Sequence, residues 1–500
     1  MKVLMLGWEF PPHISGGLGT ACHGICAGLS KAGVDVTFVV PRAFGGERAP
    51  GTRVVGANQV RLHADDGPRV EPPLLTAPPA PLPPEARERM LGSAGKACVQ
   101  RILVDSFLSP YLNEASYDAR LDASLGCGTD RPDHSGLATE GPLAGRVSAL
   151  PPSWDAQGWQ GWAQTVADTV SEHMHTPAPR QSLPSGPEKL AFSGGYGEHL
   201  FEEVARYARV VATLAASQSF DLVHGHDWMT APAAIAASRV QNKPLVMHAH
   251  ALERDRSGDA PDVRVQALEA LGLRAADRAV CVSHFTQAQV QKAYAVPEDR
   301  LRVLHNAVAQ KPTRARTLTK RGVAGPLVLF LGRVTMQKGP EYFLHAAARV
   351  VSQRPDVTFV LSGSGDMLPR MVELSARLGL AQHVHFTGFL RGDDVERMYS
   401  QADLYVMPSV SEPFGITPLE AMALDVPVIM SKQSGVSEVI DHALKVDFWD
   451  TEELANQILA VITYGPLRET LVDHGRAEIQ GMRWDVRGEA LRKIYEELMA

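Results

Sequence analysis

Glu412 and Glu420 bracket a segment whose residue types suit a ligand: Glu412-Pro413-Phe414-Gly415-Ile416-Thr417-Pro418-Leu419-Glu420. Thr417, Pro418 and Glu420 fit the N-cap, first and third positions of a helix, a capping box with proline in the first turn. A cap alone would account for Glu420. An open helix start presents unpaired N–H groups to an anion instead, and Gly415 would let a phosphate approach the backbone closely. Glu412, ahead of the helix, would offer its carboxylate to sugar hydroxyls. A second segment, Gly332-Arg333-Val334-Thr335-Met336-Gln337-Lys338-Gly339, places Arg333 at the carboxyl end of the apolar run Leu327–Leu331 and Lys338 just before the next helix. Brought together, two cations neutralise a diphosphate leaving group as a metal does elsewhere; kept apart, they are ordinary surface charges. Gly363, in Ser362-Gly363-Ser364-Gly365-Asp366, ends another apolar run in small residues.

The first half carries two His-x-His pairs, His224-Gly225-His226 and His248-Ala249-His250. Side chains two apart on a strand share a face, so a metal must be weighed. His224-Gly225-His226-Asp227-Trp228 lacks the further histidine of His-x-His-x-Asp-His hydrolases, and no third ligand stands out. Core or substrate-contact histidines are the favoured reading, with a metallohydrolase as the rival from another class.

These residues need strands that end together. Val3–Leu6, a loop with Gly16 and Gly17, a helix through Cys22, Ile25, Cys26 and Leu29, and a strand Val34–Val40 begin a parallel α/β sheet. Leu200 to Ser217 reads as a helix, followed by strands at Asp221–His224, Pro244–His250, Ala279–Ser283 and Leu301–His305. A second α/β unit runs from Leu327 through strands at Val357–Ser362, Val384–Thr387, Leu404–Met407 and Val426–Met430. The expectation is two doubly wound domains facing a central cleft, with ligands beyond the carboxyl ends of the strands. Residues 1–308 form the first, 309–325 a basic linker (Lys311, Arg314, Arg316, Lys320, Arg321) and 326–480 the second. Residues 481–500 form a helix with Leu491, Ile494, Tyr495 and Leu498 on one face, crossing back to the first domain. Between 43 and 199 periodicity lapses, and seven of the fourteen residues from Glu71 to Pro84 are proline, so this stretch reads as a peripheral insertion.

Composition narrows the class. At 500 residues, 45% apolar and 21% charged, the chain is an ordinary globular protein of two or three domains. A net charge of −7 supplies no basic field for nucleic acid. Five scattered cysteines make no disulfide framework, and no apolar run is long enough for a membrane span. MKVLMLGWEF turns polar and proline-rich too early for a signal peptide, which points to the cytoplasm. Oligomeric state is not legible.

Taken together, Gly16-Gly17-Leu18-Gly19, Val223-His224-Gly225-His226-Asp227-Trp228, His250-Ala251-Leu252-Glu253-Arg254-Asp255-Arg256, Arg333…Lys338 and Glu412…Glu420 resemble the retaining GT-B glycosyltransferases of family 4, particularly glycogen-synthase-like members. The His-Asp-Trp segment also resembles the bacterial glycogen and starch synthases of family 5. Those carry a lysine before the paired glycines, where this chain has Ile14 and Ser15, and a tyrosine where Glu420 stands. Both departures favour family 4. The resemblance implies a GT-B fold and transfer of glucose from ADP- or UDP-glucose to an α-glucan or related saccharide, without metal or other cofactor; no Asp-x-Asp motif is present. It implies that Arg333 and Lys338 hold the donor diphosphate, Glu412 the transferred sugar, the Phe414-Gly415-Ile416 backbone sugar and phosphate, and Glu420 the ribose. Gly16 and Gly17 would face the diphosphate from the other domain, Gly363 would line the donor site, and His250, or less favourably His248, would touch the sugar 6-hydroxyl. Other products (surface polysaccharide, sucrose- or trehalose-like) and a non-catalytic glucan-binding protein remain as alternatives.

Overall fold

The periodic segments build two parallel sheets in the computed structural model, which describes residues 1–12, 17–61, 69–70, 192–196, 200–258, 261–309 and 325–499. β1 (Lys2–Leu6) and β2 (Asp35–Val40) are joined through helix α1 (Gly17–Lys31). β3 (Thr52–Gly56) lies outside β2, and β4 (Leu222–His226), β5 (Leu245–Ala249), β6 (Arg278–Cys281) and β7 (Leu301–Val303) extend the other side. The order is β3-β2-β1-β4-β5-β6-β7, parallel throughout. Helices α2 (Leu200–Ser217) and α3 (Ala231–Gln241) join the core of this sheet, and α4 (His284–Tyr294) follows β6.

The second sheet repeats the pattern with β8 (Leu327–Leu331), β9 (Thr358–Ser362), β10 (Val384–Gly388), β11 (Leu404–Met407), β12 (Val428–Ser431) and β13 (Leu444–Val446), in the parallel order β10-β9-β8-β11-β12-β13. Helix α5 (Ile416–Ala423) lies between β11 and β12. Each sheet reverses its strand order beside its first strand, which opens a crevice at the carboxyl ends. The two crevices share one cleft of about 1700 Å³.

Two strands of these parallel sheets escape the sequence reading. Thr52–Gly56 pairs with β2 and belongs to the sheet, so the stretch expected to be a peripheral insertion from residue 43 contributes a core element before residue 61. At its other end Phe192 and Tyr196 are buried in the core of the first domain. β13 is a three-residue edge strand, too short to show alternation. The proline-rich segment, the tryptophans at 154, 159 and 162, Gly16 and most of the basic linker lie outside the described residues.

The last helix, α6 (Trp484–Glu497), packs on α1. Small residues let the two backbones touch: a Cβ on Gly488 would sit 2.1 Å from the carbonyl carbon of Gly28, and one on Gly28 would sit 2.1 Å from the carbonyl oxygen of Trp484. Leu491, Ile494 and Tyr495 bury the apolar face of α6 against β1, β2 and α1. Gly488→Val should therefore cost about 1–3 kcal/mol by overpacking, read as a lower urea midpoint, while Glu489→Val on the exposed face leaves the midpoint unchanged within error. Equal midpoints for the two variants would mean that α6 is not held by this contact.

Candidate active site

β4 and β5 are wholly buried, and a parallel strand covered on both faces reads as a continuous apolar run. His224, His226 and His248 break that rule. Their rings and that of His250, the residue after β5, form one array: His224 stacks on His226 with centroids 4.4 Å apart, and His248 on His250 at 4.3 Å. Nδ1 of His224 lies 2.5 Å from the Tyr495 hydroxyl, and Nδ1 of His226 lies 2.9 Å from Nε2 of His250. Burial holds the imidazoles of His226 and His248 well below the ordinary range, and that of His224 down to about 3. Burial also lowers His250, against an opposing pull from the Asp227 carboxylate. The array is neutral at pH 7.

Of the four, His250 lines the cleft, while His248 lies 1% exposed beneath it. Geometry thus separates two histidines that spacing left as rivals. Asp227 fixes the chain at this point: its Oδ1 accepts from the backbone N–H of His250 at 2.7 Å and of Ala251 at 3.3 Å. It adopts φ 58°, in the region that non-glycine residues rarely occupy. Arg256 lies 3.8 Å from Asp227 and from Glu253, and 4.0 Å from Glu269, which secures the short helix Glu253–Ser257 behind the loop. Asp227 and Arg256 stand in the quoted motifs, yet nothing in their spacing assigns them this work.

Across the cleft Lys338 Nζ lies 2.5 Å from Glu412 Oε2, which also accepts from Ser409 Oγ at 3.1 Å. Arg333 donates to the buried Gln337 at 3.0 Å. Both cations and Glu412 line the cleft, as do Gly17, Gly363, Phe414, Gly415, Ile416 and Glu420. Gly17 opens α1, and a Cβ there would meet nothing within 4 Å. Gly363 has a packing reason as well, since a Cβ would fall 1.7 Å from the Gly332 carbonyl oxygen. The Phe414 side chain is core, 2% exposed, so its backbone is what it offers a ligand.

The expected capping box is absent. Gly415, at φ 98°, makes the turn and α5 starts at Ile416, so Thr417 and Glu420 lie inside the helix. Thr417 Oγ1 accepts from the Tyr405 hydroxyl at 2.7 Å, and Glu420 Oε2 accepts from Tyr399 at 3.4 Å. Glu420 therefore faces the cleft rather than capping its own helix.

The structure also supplies the third metal-type ligand that the sequence did not show. Ligand atoms of His224, His226 and His248 lie within 4.8 Å of one another, as do those of Cys22, His226 and His250, and of His284, His305 and Glu438. In the first group the ring planes differ by only 11–27°. Near-parallel stacked rings aim their lone pairs side by side, not at one point.

The family model "Glycosyl transferases group 1" matches residues 319–478, "Glycosyltransferase Family 4" residues 167–311 and "Starch synthase catalytic domain" residues 2–66. An uncharacterized glycosyltransferase of Methanocaldococcus jannaschii is 30% identical over 301 residues, 56% of this chain and 76% of that protein. The chain belongs to the group 1 glycosyltransferases. A D-inositol 3-phosphate glycosyltransferase of Salinispora arenicola is 30% identical over 322 residues, 58% of this chain and 72% of the relative. Sucrose-phosphate synthase from Thermosynechococcus elongatus shares the fold across 100% of this chain and 99% of its own, at TM-score 0.61 and 18% identity. Anabaena HepE in complex with UDP-glucose shares it over 67% and 89%, at TM-score 0.54 and 21% identity. The fold is that of the GT-B glycosyltransferases, and the protein is an enzyme of that class. Among the described residues no helix is long and apolar enough to cross a membrane.

The buried histidines make stability pH-dependent. Unfolded, they take up protons near pH 6.5; folded, burial keeps them neutral to well below that. Stability is whole above about pH 6.5 and falls as the pH drops, by about 1.4 kcal/mol per pH unit for each histidine. Urea midpoints between pH 8 and 5 should trace this fall, and His248→Leu should remove about one proton from the slope. The same slope in that variant would mean that His248 is protonated in the native protein.

Proposed function

We propose that this glycosyltransferase moves glucose from ADP- or UDP-glucose to an α-glucan or related saccharide, with retention of configuration and without a metal. The observation that carries the reading is the meeting of Arg333, Lys338 and Glu412 at one wall of a cleft whose other wall presents His250 and Gly17. Two cations at the carboxyl end of β8 suit a diphosphate that gains charge as it leaves. The Lys338–Glu412 pair suits an exchange of partners, in which the ammonium turns to phosphate and the carboxylate is released to sugar hydroxyls. His250, fixed by Asp227, would stand over the sugar, and Glu420 would meet the ribose. On this reading the acceptor attacks on the face from which the leaving group departs, without a protein nucleophile.

A second reading concerns the acceptor. Lys31 and Arg42 line the first-domain side of the cleft, and cations there suit an acceptor that carries a phosphate. The name of the Salinispora relative supports the same idea. Assays pairing ADP-glucose and UDP-glucose with maltooligosaccharides, glycogen and inositol 3-phosphate separate the two acceptors.

Arg333→Ala with Lys338→Ala should weaken nucleoside diphosphate binding by at least tenfold in calorimetry and abolish transfer, whereas EDTA should change the rate by less than about twofold. Undiminished nucleotide affinity in the double variant would overturn the diphosphate assignment. Complete loss in EDTA, restored only by a divalent ion, would overturn the metal-free part.

A further inference from the structure

His226 Nδ1 and His250 Nε2 are 2.9 Å apart, and burial keeps both rings neutral. One proton lies between them, and it belongs to one ring or the other. If His250 donates from Nε2, its Nδ1 is a bare lone pair. His226 then accepts at Nδ1 and must carry its own proton on Nε2. That nitrogen is buried without a partner among the described residues. If His226 donates from Nδ1 instead, its Nε2 is a bare acceptor and the proton of His250 sits on Nδ1. Orphaned buried N–H groups are rarer than under-satisfied acceptors, so the second arrangement is favoured. His250 lines the cleft, and among the described residues no group bonds its Nδ1.

We propose that His226 is a positioning residue that locks His250 as the Nδ1–H tautomer, so that the cleft receives a fixed hydrogen-bond donor. The ligand group it fits is an acceptor oxygen, a hydroxyl or phosphate oxygen of the donor sugar. An Nδ1–H imidazole has no lone pair at that nitrogen, so His250 does not take the proton of the attacking hydroxyl there. The proposal rests on the reading that places His250 at the reaction centre, but the tautomer itself is observable without catalysis.

The test has a spectroscopic arm and a kinetic arm. In protein labelled with 15N-histidine, long-range 1H–15N spectra show which ring nitrogen bears the proton, with the His250 signals assigned by their loss in His250→Gln. The wild type should show the proton on Nδ1 of His250. His226→Asn keeps an N–H near the same place and should preserve that tautomer. His226→Asp presents only acceptor oxygens and should move the proton to Nε2. With saturating donor, kcat should fall at least tenfold in His226→Asp with KM for donor within about threefold. His226→Asn should recover most of that loss. The Asp variant should also gain a step in its pH–rate profile near neutrality, because a carboxylate partner raises the imidazole pKa. A wild-type spectrum with the proton on Nε2 overturns the proposal, and it needs no folded variant. So does a His226→Asp enzyme with native kcat and pH profile. If the spectrum is as expected but His250→Gln turns over normally, the tautomer stands and the functional reading of His250 fails.

Discussion

The carbonyl oxygen of Pro413 holds the divided site together. It accepts from Ser283 Oγ at 2.5 Å and from Thr286 Oγ1 at 3.2 Å, both buried and both from the first domain. Glu412, the neighbour of Pro413, is thereby fixed against the sheet that carries the histidines. The acceptor is a main-chain atom and both donors are side chains buried without room to change rotamer, so the tie is held firmly on each side. Gly435 makes room for it, since a Cβ there would lie 2.2 Å from that carbonyl oxygen and 2.4 Å from Ser283 Cβ. Glu438 adds a second tie by accepting from the N–H groups of His284 and Phe285 at 2.9 and 2.6 Å. A carboxylate at the start of α4 also suits the helix dipole.

Given that anchor, the first domain can place uncharged polar rings where a parallel sheet expects aliphatic ones. Their burial costs free energy unless their nitrogens find partners. Tyr495 supplies one partner from the last helix, and His250 supplies another. The crossover helix is therefore part of the floor of the site as well as a clasp on α1. Asp227 completes the arrangement at a strained φ, a conformation that persists because the His250 and Ala251 N–H groups, the His248 carbonyl and Arg256 all engage it.

Much of this was legible in the sequence because parallel α/β sheets announce themselves: the strands are apolar runs, and their carboxyl ends are where glycine, histidine and arginine then appear. Both central strands and the placement of His250, Arg333, Lys338 and Glu412 followed from that. β3 was hidden because Thr-Arg-Val-Val-Gly is a short edge strand beside an aperiodic stretch, and β13 because three residues carry no period. The capping box was misread because Ser/Thr-x-x-Glu spacing does not reveal that the preceding glycine has φ 98°. The histidine array was only half visible. Spacing put each pair on one strand face, whereas the pairing of His226 with His248 across β4 and β5 is a matter of register.

The same ties limit how the cleft can move. Any rigid rotation that keeps the Pro413 and Glu438 bonds must pivot close to them, and the backbone bond from Val308 to the carbonyl of Met482 marks the crossover as part of that pivot. A third bond, Ser411 Oγ to Asp255 Oδ1 at 2.6 Å, joins the loop before Glu412 to the short helix behind His250. Groups beside a pivot move least. Glu412 and the loop after β5 therefore keep their mutual geometry through such a rotation, and so does the turn Met336–Lys338, which packs on the same short helix and whose Lys338 pairs with Glu412.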